Sequence, residues 1–299
     1  MNETAVTFDC DGDTLVGVVS APAPAQPGDT GVVIIVGGPQ YRVGSHRQFV
    51  QLAQTLAGGG FPTLRFDVRG MGDSDGAQRD YEAIDNDIGA AIGALQRAQP
   101  QLRRIVLWGL CGGASAALLY LRATRDPRVQ GLVLVNPWVR SELTLARARV
   151  KHYYLQRVMQ PEFWVKVLRG GVAVRALGEF LRSAQTSVAG AAKPARVGGR
   201  DADLPLAQRM ADAWSAFGGA SLLILSGNDY TAKEFLETVQ MAPQWQAQLA
   251  QPQVTRLDIV DADHTFSQPE AQARVEAATA TWLRRLDVRP KACVSGGAA

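Results

Sequence analysis

Ile105-Val106-Leu107-Trp108-Gly109-Leu110-Cys111-Gly112-Gly113-Ala114-Ser115 sets an apolar strand, a sharp turn and a helix in immediate succession. The strand is read over Ile105–Trp108 and the helix over Ala114–Leu121. Glycines two before and two after Cys111 leave room for strand and helix to pass closely while the residue between them is held in a strained conformation. Cys111 therefore projects from the tip of the turn at a helix N-terminus, where free N–H groups and the helix dipole favour an anion. The run from Ile105 to Leu121 carries no charge, but the glycines at its middle and its short length argue against a membrane span.

On both sides of this unit, short β-branched runs alternate with helical patterns, the signature of a mostly parallel sheet with helices on both faces. Ala5–Phe8 and Thr14–Ser20 flank the turn-rich Asp9-Cys10-Asp11-Gly12-Asp13 and read as a hairpin. Val32–Val36 is a continuous apolar run expected of a strand covered on both faces. A helix over Gln48–Ala57, a strand over Thr63–Phe66 and a helix over Glu82–Gln99 follow, the last from the spacing of Ile84, Ile88, Ile92 and Leu95. Beyond Cys111 come strands at Val129–Val135, Leu222–Leu225 and Val254–Val260, a helix from about Ala232 and a last helix over Glu270–Leu286.

Between Trp138 and Phe217 the strand pattern disappears for much longer than one crossover helix requires. The expected organisation is a core over residues 1–137 and 218–290, an inserted helical cap over 138–217 and a flexible tail over 291–299. Within the cap, residues 140–182 hold nine basic side chains against three acidic ones, although the whole chain is only +3. The plain reading is a solvated lid that buries its apolar stripe. A surface for an anionic substrate, an acyl carrier protein or an inner-membrane face is the functional one.

The chain has 299 residues, 46% of them hydrophobic and 20% charged, a composition that excludes disorder, collagen and coiled coil. Its near-even charge balance excludes a nucleic-acid binder by bulk electrostatics. Cys10, Cys111 and Cys293 are odd in number and scattered, so a reducing, cytoplasmic setting is expected, with no signal peptide. With His46, His152 and His264 they form no cluster of zinc-ligand spacing, and no metal or cofactor is expected.

Gly109-Leu110-Cys111-Gly112-Gly113 matches the nucleophile-elbow pattern G-x-S-x-G with cysteine in the serine slot. In that layout the chain order is nucleophile, acid, base. His264, in Asp263-His264-Thr265-Phe266 just after the last predicted strand, is the expected base; His46 and His152 lie upstream of Cys111 or inside the cap. Asp229 ends the strand Leu222–Leu225 with its following Ser226-Gly227-Asn228 and is the expected acid, preferred over Asp261 and Asp263, whose proximity to His264 suits a solvated loop. The oxyanion donors expected are the N–H of Gly112 and that of Gly38 or Gln40 in Gly37-Gly38-Pro39-Gln40-Tyr41, where Pro39 has none to give. Gly70-Met71-Gly72 lacks the spacing of a dinucleotide loop and reads as a turn near the site, and Ser74 and Ser115 are off the elbow tip.

The elbow, the Gly37-Gly38 loop and Phe66-Asp67-Val68-Arg69-Gly70-Met71-Gly72-Asp73-Ser74-Asp75-Gly76 together resemble an α/β-hydrolase, which implies an eight-stranded, mostly parallel sheet. More narrowly, Gly37-Gly38-Pro39-Gln40-Tyr41-Arg42, Gly109-Leu110-Cys111 and Asp263-His264-Thr265-Phe266 resemble the type-one hydrolases of the exosortase A system. That resemblance implies a cytoplasmic protein connected with exopolysaccharide genes. The expected activity is hydrolysis of a small-molecule ester or thioester through Cys111, Asp229 and His264. An acyltransferase using the same S-acyl enzyme, and a non-catalytic binding protein with a basic cap, are the alternatives.

Overall fold

Runs of β-branched and aliphatic residues too short for helices pair here into one sheet, whose strands are buried most completely at its centre. The computed structural model describes residues 1–22, 28–38, 40–139 and 204–288. Its strands are β1 (Asn2–Cys10), β2 (Asp13–Ala21), β3 (Thr30–Ile35), β4 (Thr63–Phe66), β5 (Arg104–Leu110), β6 (Val129–Val135), β7 (Ala220–Ser226) and β8 (Val254–Ile259). The described α-helices are α1 (Gln48–Gly58), α2 (Asp85–Ala98), α3 (Gly112–Thr124), α4 (Leu206–Ala216), α5 (Tyr230–Met241), α6 (Pro243–Leu249) and α7 (Pro269–Val288).

The strand order is β1-β2-β4-β3-β5-β6-β7-β8. β2 runs antiparallel to both neighbours, and every pair from β4 onward is parallel. All residues of β3 and β7 are buried, as strands covered on both faces require. Alternate side chains serve the two faces: Val32, Ile34, Val106, Trp108, Val133 and Ile224 join Phe49 of α1 and Leu283 of α7 in one apolar cluster. α2 and α3 pack on the sheet from the other side. Phe49 meets Trp108 edge-on at 5.8 Å between ring centroids.

From β3 the chain goes to β4 on one side, then crosses back over β3 to β5 on the other. Such a reversal opens a crevice at the carboxyl ends of the strands. The segment after β3 and the turn after β5 meet there.

Residues 82–99 are not one continuous helix. Asp80 accepts a hydrogen bond from the Glu82 N–H at 3.0 Å and starts a separate 3-10 turn over Tyr81–Ala83, and Ile84 (φ −110°, ψ 21°) breaks it from α2. α4 also differs from expectation. It falls within the segment assigned to a cap ending at residue 217, yet the chain groups with the sheet from Ala207 onward. Its buried Trp214 explains this, stacking edge-on against Trp245 of α6 at 5.9 Å and donating its indole N–H to Ser221 Oγ of β7 at 2.9 Å. α6 was not legible as a helix of its own; Pro243 at its first turn restarts the helix after α5 ends. The basic segment 140–182, His152, Cys293 and the tail after Arg289 lie outside the described residues. Among the described residues no helix is long and apolar enough to cross a membrane.

Candidate active site

Cys111 stands between β5 and α3 with φ 57° and ψ −120°, a backbone conformation that costs energy for any residue with a β-carbon. Close packing holds it there. A β-carbon on Gly109 would lie 2.3 Å from the carbonyl carbon of Gly113, and one on Gly113 would lie 2.3 Å from Ile35 O. Both are far inside contact distance, so strand and helix approach this closely only through glycine. The Cys111 N–H donates to Val135 O at 2.9 Å, tying the turn to the end of β6. Gly112 opens α3, so its N–H belongs to the first turn that has no acceptor within the helix.

Asp229 follows β7 and caps α5: its carboxylate accepts from the N–H groups of Thr231 at 3.0 Å and Ala232 at 3.2 Å. The same carboxylate accepts a hydrogen bond from His264 Nδ1–H at 2.8 Å, with the Asp229 side chain only 6% exposed. The rivals are placed otherwise. Asp263 folds the histidine loop by accepting from the N–H groups of Thr265 and Ser267 at 3.1 and 3.0 Å and from Ser267 Oγ. Asp261 gives its carbonyl to Asn228 Nδ2 at 3.4 Å.

His264 also responds to Cys111. Its imidazolium is pushed up to about 10, first by the hydrogen bond to Asp229, then by hydrogen bonding to Cys111, with burial opposing both. One imidazole thus bonds a buried carboxylate and responds as well to the cysteine at the elbow. His46 stands apart from this pair and donates from Nε2 to Thr265 O at 3.0 Å. Ser115 Oγ, fully buried, donates to Trp138 O at 2.5 Å and lies 3.3 Å from the carbonyl oxygen of Cys111, and Ser74 Oγ donates to Asp67 O at 2.8 Å; both hydroxyls are spent on backbone carbonyls. Cys10 is buried beneath the β1–β2 hairpin, donates to Asp87 Oδ1 at 3.5 Å and has its thiol pushed up to about 12, chiefly by burial, so it keeps its proton.

The segment after β3 is clamped by residues that the sequence did not single out for that task. Fully buried Asp67 accepts from the Arg42 N–H at 2.6 Å, from Arg42 Nη1 and from the Asp73 N–H at 3.0 Å. Arg42 Nη2 reaches Asp73 at 2.5 Å as well. Within the segment, the Gln40 N–H donates to Gly38 O at 2.8 Å and is thereby used. The run Gly70-Met71-Gly72 is the turn that carries Asp73 back to Asp67. Beside Gly38 a cleft of about 370 Å³ opens between Val36, Val68, Met71, Tyr81 and Ile84, with Gln78, Arg79 and Asp80 at its polar side. Tyr81 packs its ring over Gly112, and burial, with Glu82, Asp80 and Cys111 adding, pushes its phenol well above the usual tyrosine range. Tyr81, Asp67 and Asn136, described further below, were missed because an isolated aromatic, a strand-end carboxylate and an Asn-Pro step carry no local pattern of their own.

An eight-stranded, mostly parallel sheet with this elbow after β5, a carboxylate after β7 and a histidine after β8 is the α/β-hydrolase fold. The chain belongs to the serine aminopeptidase S33 family, whose model matches residues 29–200, more than half of its length. That match ends before Asp229 and His264, and at the elbow tip this chain has Cys111. Solved structures similar to it include the esterase Pf2001 of Pyrococcus furiosus, at a TM-score of 0.63 and 17% identity over 95% of this chain and 91% of that one. Est1E of Butyrivibrio proteoclasticus, solved with ferulic acid bound, matches at 0.62 and 17% identity over 95% and 100%. XC6422 of Xanthomonas campestris, described as an α/β serine hydrolase without a lid, matches at 0.56 and 16% identity over 97% and 98%. At these identities the likeness is one of fold. No curated protein matches the chain.

Proposed function

We propose that the protein hydrolyses a carboxylic ester or thioester through Cys111, with His264 as acid and base and Asp229 as the group that orients it. The observation that carries this reading is the Asp229 carboxylate bonded at 2.8 Å to Nδ1 of His264, an imidazole whose proton Cys111 also helps to hold. His264 draws the proton from the Cys111 thiol, and the thiolate and imidazolium so formed are the reacting pair. The sulfur attacks the acyl carbon, and the oxygen of the tetrahedral adduct takes hydrogen bonds from the Gly112 N–H and the Gly38 N–H. Gly38 is assigned in preference to Gln40, whose N–H is spent on Gly38 O.

Collapse breaks the bond to the leaving alcohol or thiol, which receives the His264 proton, and leaves an S-acyl enzyme. Acylation also consumes the thiolate, removing what Cys111 adds to the hold on the imidazolium proton and leaving only the Asp229 carboxylate. Neutral His264 then takes a proton from water as the water oxygen attacks the thioester, the carboxylic acid departs and the ion pair is restored. The cleft bordered by Val36, Val68, Met71, Tyr81 and Ile84 suits the apolar part of an acyl group.

On the resemblance to type-one exosortase A hydrolases, the reaction serves exopolysaccharide formation in the cytoplasm. The experiment is turnover of an activated acyl ester by Cys111→Ala against the parent. Loss of turnover is the expected result, and unchanged turnover overturns the assignment. Release of free acid in the absence of any alcohol or amine acceptor separates hydrolysis from acyl transfer.

A further inference from the structure

Asn136 follows β6 with φ 44°, in the left-handed region where asparagine is better tolerated than most residues, and it is fully buried. Every polar group that the structure shows on its side chain is engaged. Oδ1 accepts from the Ser226 N–H at 2.9 Å, and Nδ2 donates to Ser226 Oγ at 2.8 Å and to the carbonyl of His264 at 3.2 Å. Its own N–H donates to Ile224 O of β7 at 3.0 Å.

These bonds reach two members of the site from one point. Ser226 ends β7 three residues before Asp229, and the His264 carbonyl belongs to the histidine itself. The third member is held by the neighbours of Asn136 along the chain: Val135 O accepts from the Cys111 N–H at 2.9 Å, and the Trp138 N–H donates to Cys111 O at 3.4 Å. Three residues of one short stretch, Val135, Asn136 and Trp138, therefore bond to the backbone at Cys111, to that of His264 and to the end of the strand that carries Asp229. Asn136 touches neither the sulfur nor the imidazole. A hydrogen bond to a fixed carbonyl and a strand end constrains where a loop starts, and sub-ångström changes in the spacing of reacting groups alter rates strongly.

We propose that Asn136 is a positioning residue that sets the spacing of Cys111 and His264, so that its amide governs the rate of the chemical step. This rests on the reading of Cys111 as nucleophile given above. Asn136→Gly isolates the amide, because glycine accepts a positive φ without strain. In the folded variant kcat falls on the order of 10- to 100-fold with KM unchanged, the size expected when reacting groups are misplaced. Alkylation of Cys111 by iodoacetamide at neutral pH, read by peptide mass, slows in parallel.

Unchanged kcat and unchanged alkylation in folded Asn136→Gly overturn the proposal. If that variant does not fold, Ser226→Ala decides, since it removes only the hydroxyl that accepts from the amide: a smaller fall in kcat and in alkylation supports the role, and parental values of both overturn it. The alkylation arm needs no turnover. An inactive parent whose Cys111 is alkylated quickly, and more slowly with Asn136→Gly, therefore marks failure of the proposed reaction but not of the positioning role.

Discussion

Gly37 and Gly113 approach so closely that a β-carbon on Gly37 would lie 2.0 Å from the amide nitrogen of Gly113. The segment that follows β3 is thereby pressed against the first turn of α3, and the two N–H groups assigned to the oxyanion come from these two pieces of chain. The contact is backbone against backbone, so no side-chain rotation relieves an added methyl.

Gly37→Ala is accordingly expected to cost roughly 1–3 kcal/mol of stability through overpacking and to lower kcat further by parting the two donors. Gly58→Ala is the control, because a β-carbon there meets nothing within 4 Å; it is expected to be neutral or stabilising by about 0.4–1 kcal/mol. Thermal unfolding followed beside ester turnover checks both.

The His264 pair gives a pH dependence whose sign is fixed. The imidazolium has its ordinary value of 6.5 in the unfolded chain and about 10 in the folded protein. Its contribution to stability is therefore fully present below 6.5 and is lost as pH rises through about 10. Asp229→Asn removes the carboxylate whose hydrogen bond is the first of the raising causes, so the imidazole titration, followed by NMR, moves to lower pH. An unmoved titration would break the assignment of Asp229.

Cys111→Ser keeps the elbow and changes only the reacting atom. A hydroxyl is far harder to ionise than a thiol, so the proton must move during attack, and acylation is expected to slow on the order of 10²–10⁴-fold, the range supplied by general acid–base assistance. Iodoacetamide inactivates the parent and leaves whatever rate the serine variant retains untouched. Buried Cys10, which keeps its proton, does not contribute to inactivation.

Arg69 and Asp87 form a buried ion pair, their side chains 1% and 0% exposed, with Nε to Oδ1 at 2.7 Å and the Arg69 N–H to Oδ2 at 2.8 Å. Asp87→Ala leaves the buried guanidinium with only its outer partner, Asp11 at 2.8 Å from Nη1, and is expected to cost about 3–5 kcal/mol. Chemical denaturation measures it, and a change near zero would show that water reaches this pair.

That Cys111 sits between β5 and α3, that Asp229 follows β7 and that His264 follows β8 was readable in the sequence, because each terminates or follows an apolar run that declares a strand. The choice of Asp229 over Asp263 followed from the same rule: a residue beside His264 is occupied in shaping the loop, as the bonds of Asp263 to Thr265 and Ser267 demonstrate. The break between the 3-10 turn at Tyr81 and α2 was hidden, since Ile84, Ile88, Ile92 and Leu95 keep helical spacing whether or not a helix precedes them. Arg42 on Asp67 and Asn136 on His264 were hidden for another reason. Their partners lie 25 and 128 residues away, and only the closed sheet brings them together.

Mass measurement of the protein quenched early in its reaction with an activated acyl ester bears most directly on the sulfur at the elbow. The account predicts one added acyl group, mapped to the peptide containing Cys111 and missing from Cys111→Ala. An acyl group on any other residue, or steady turnover by Cys111→Ala, would contradict it.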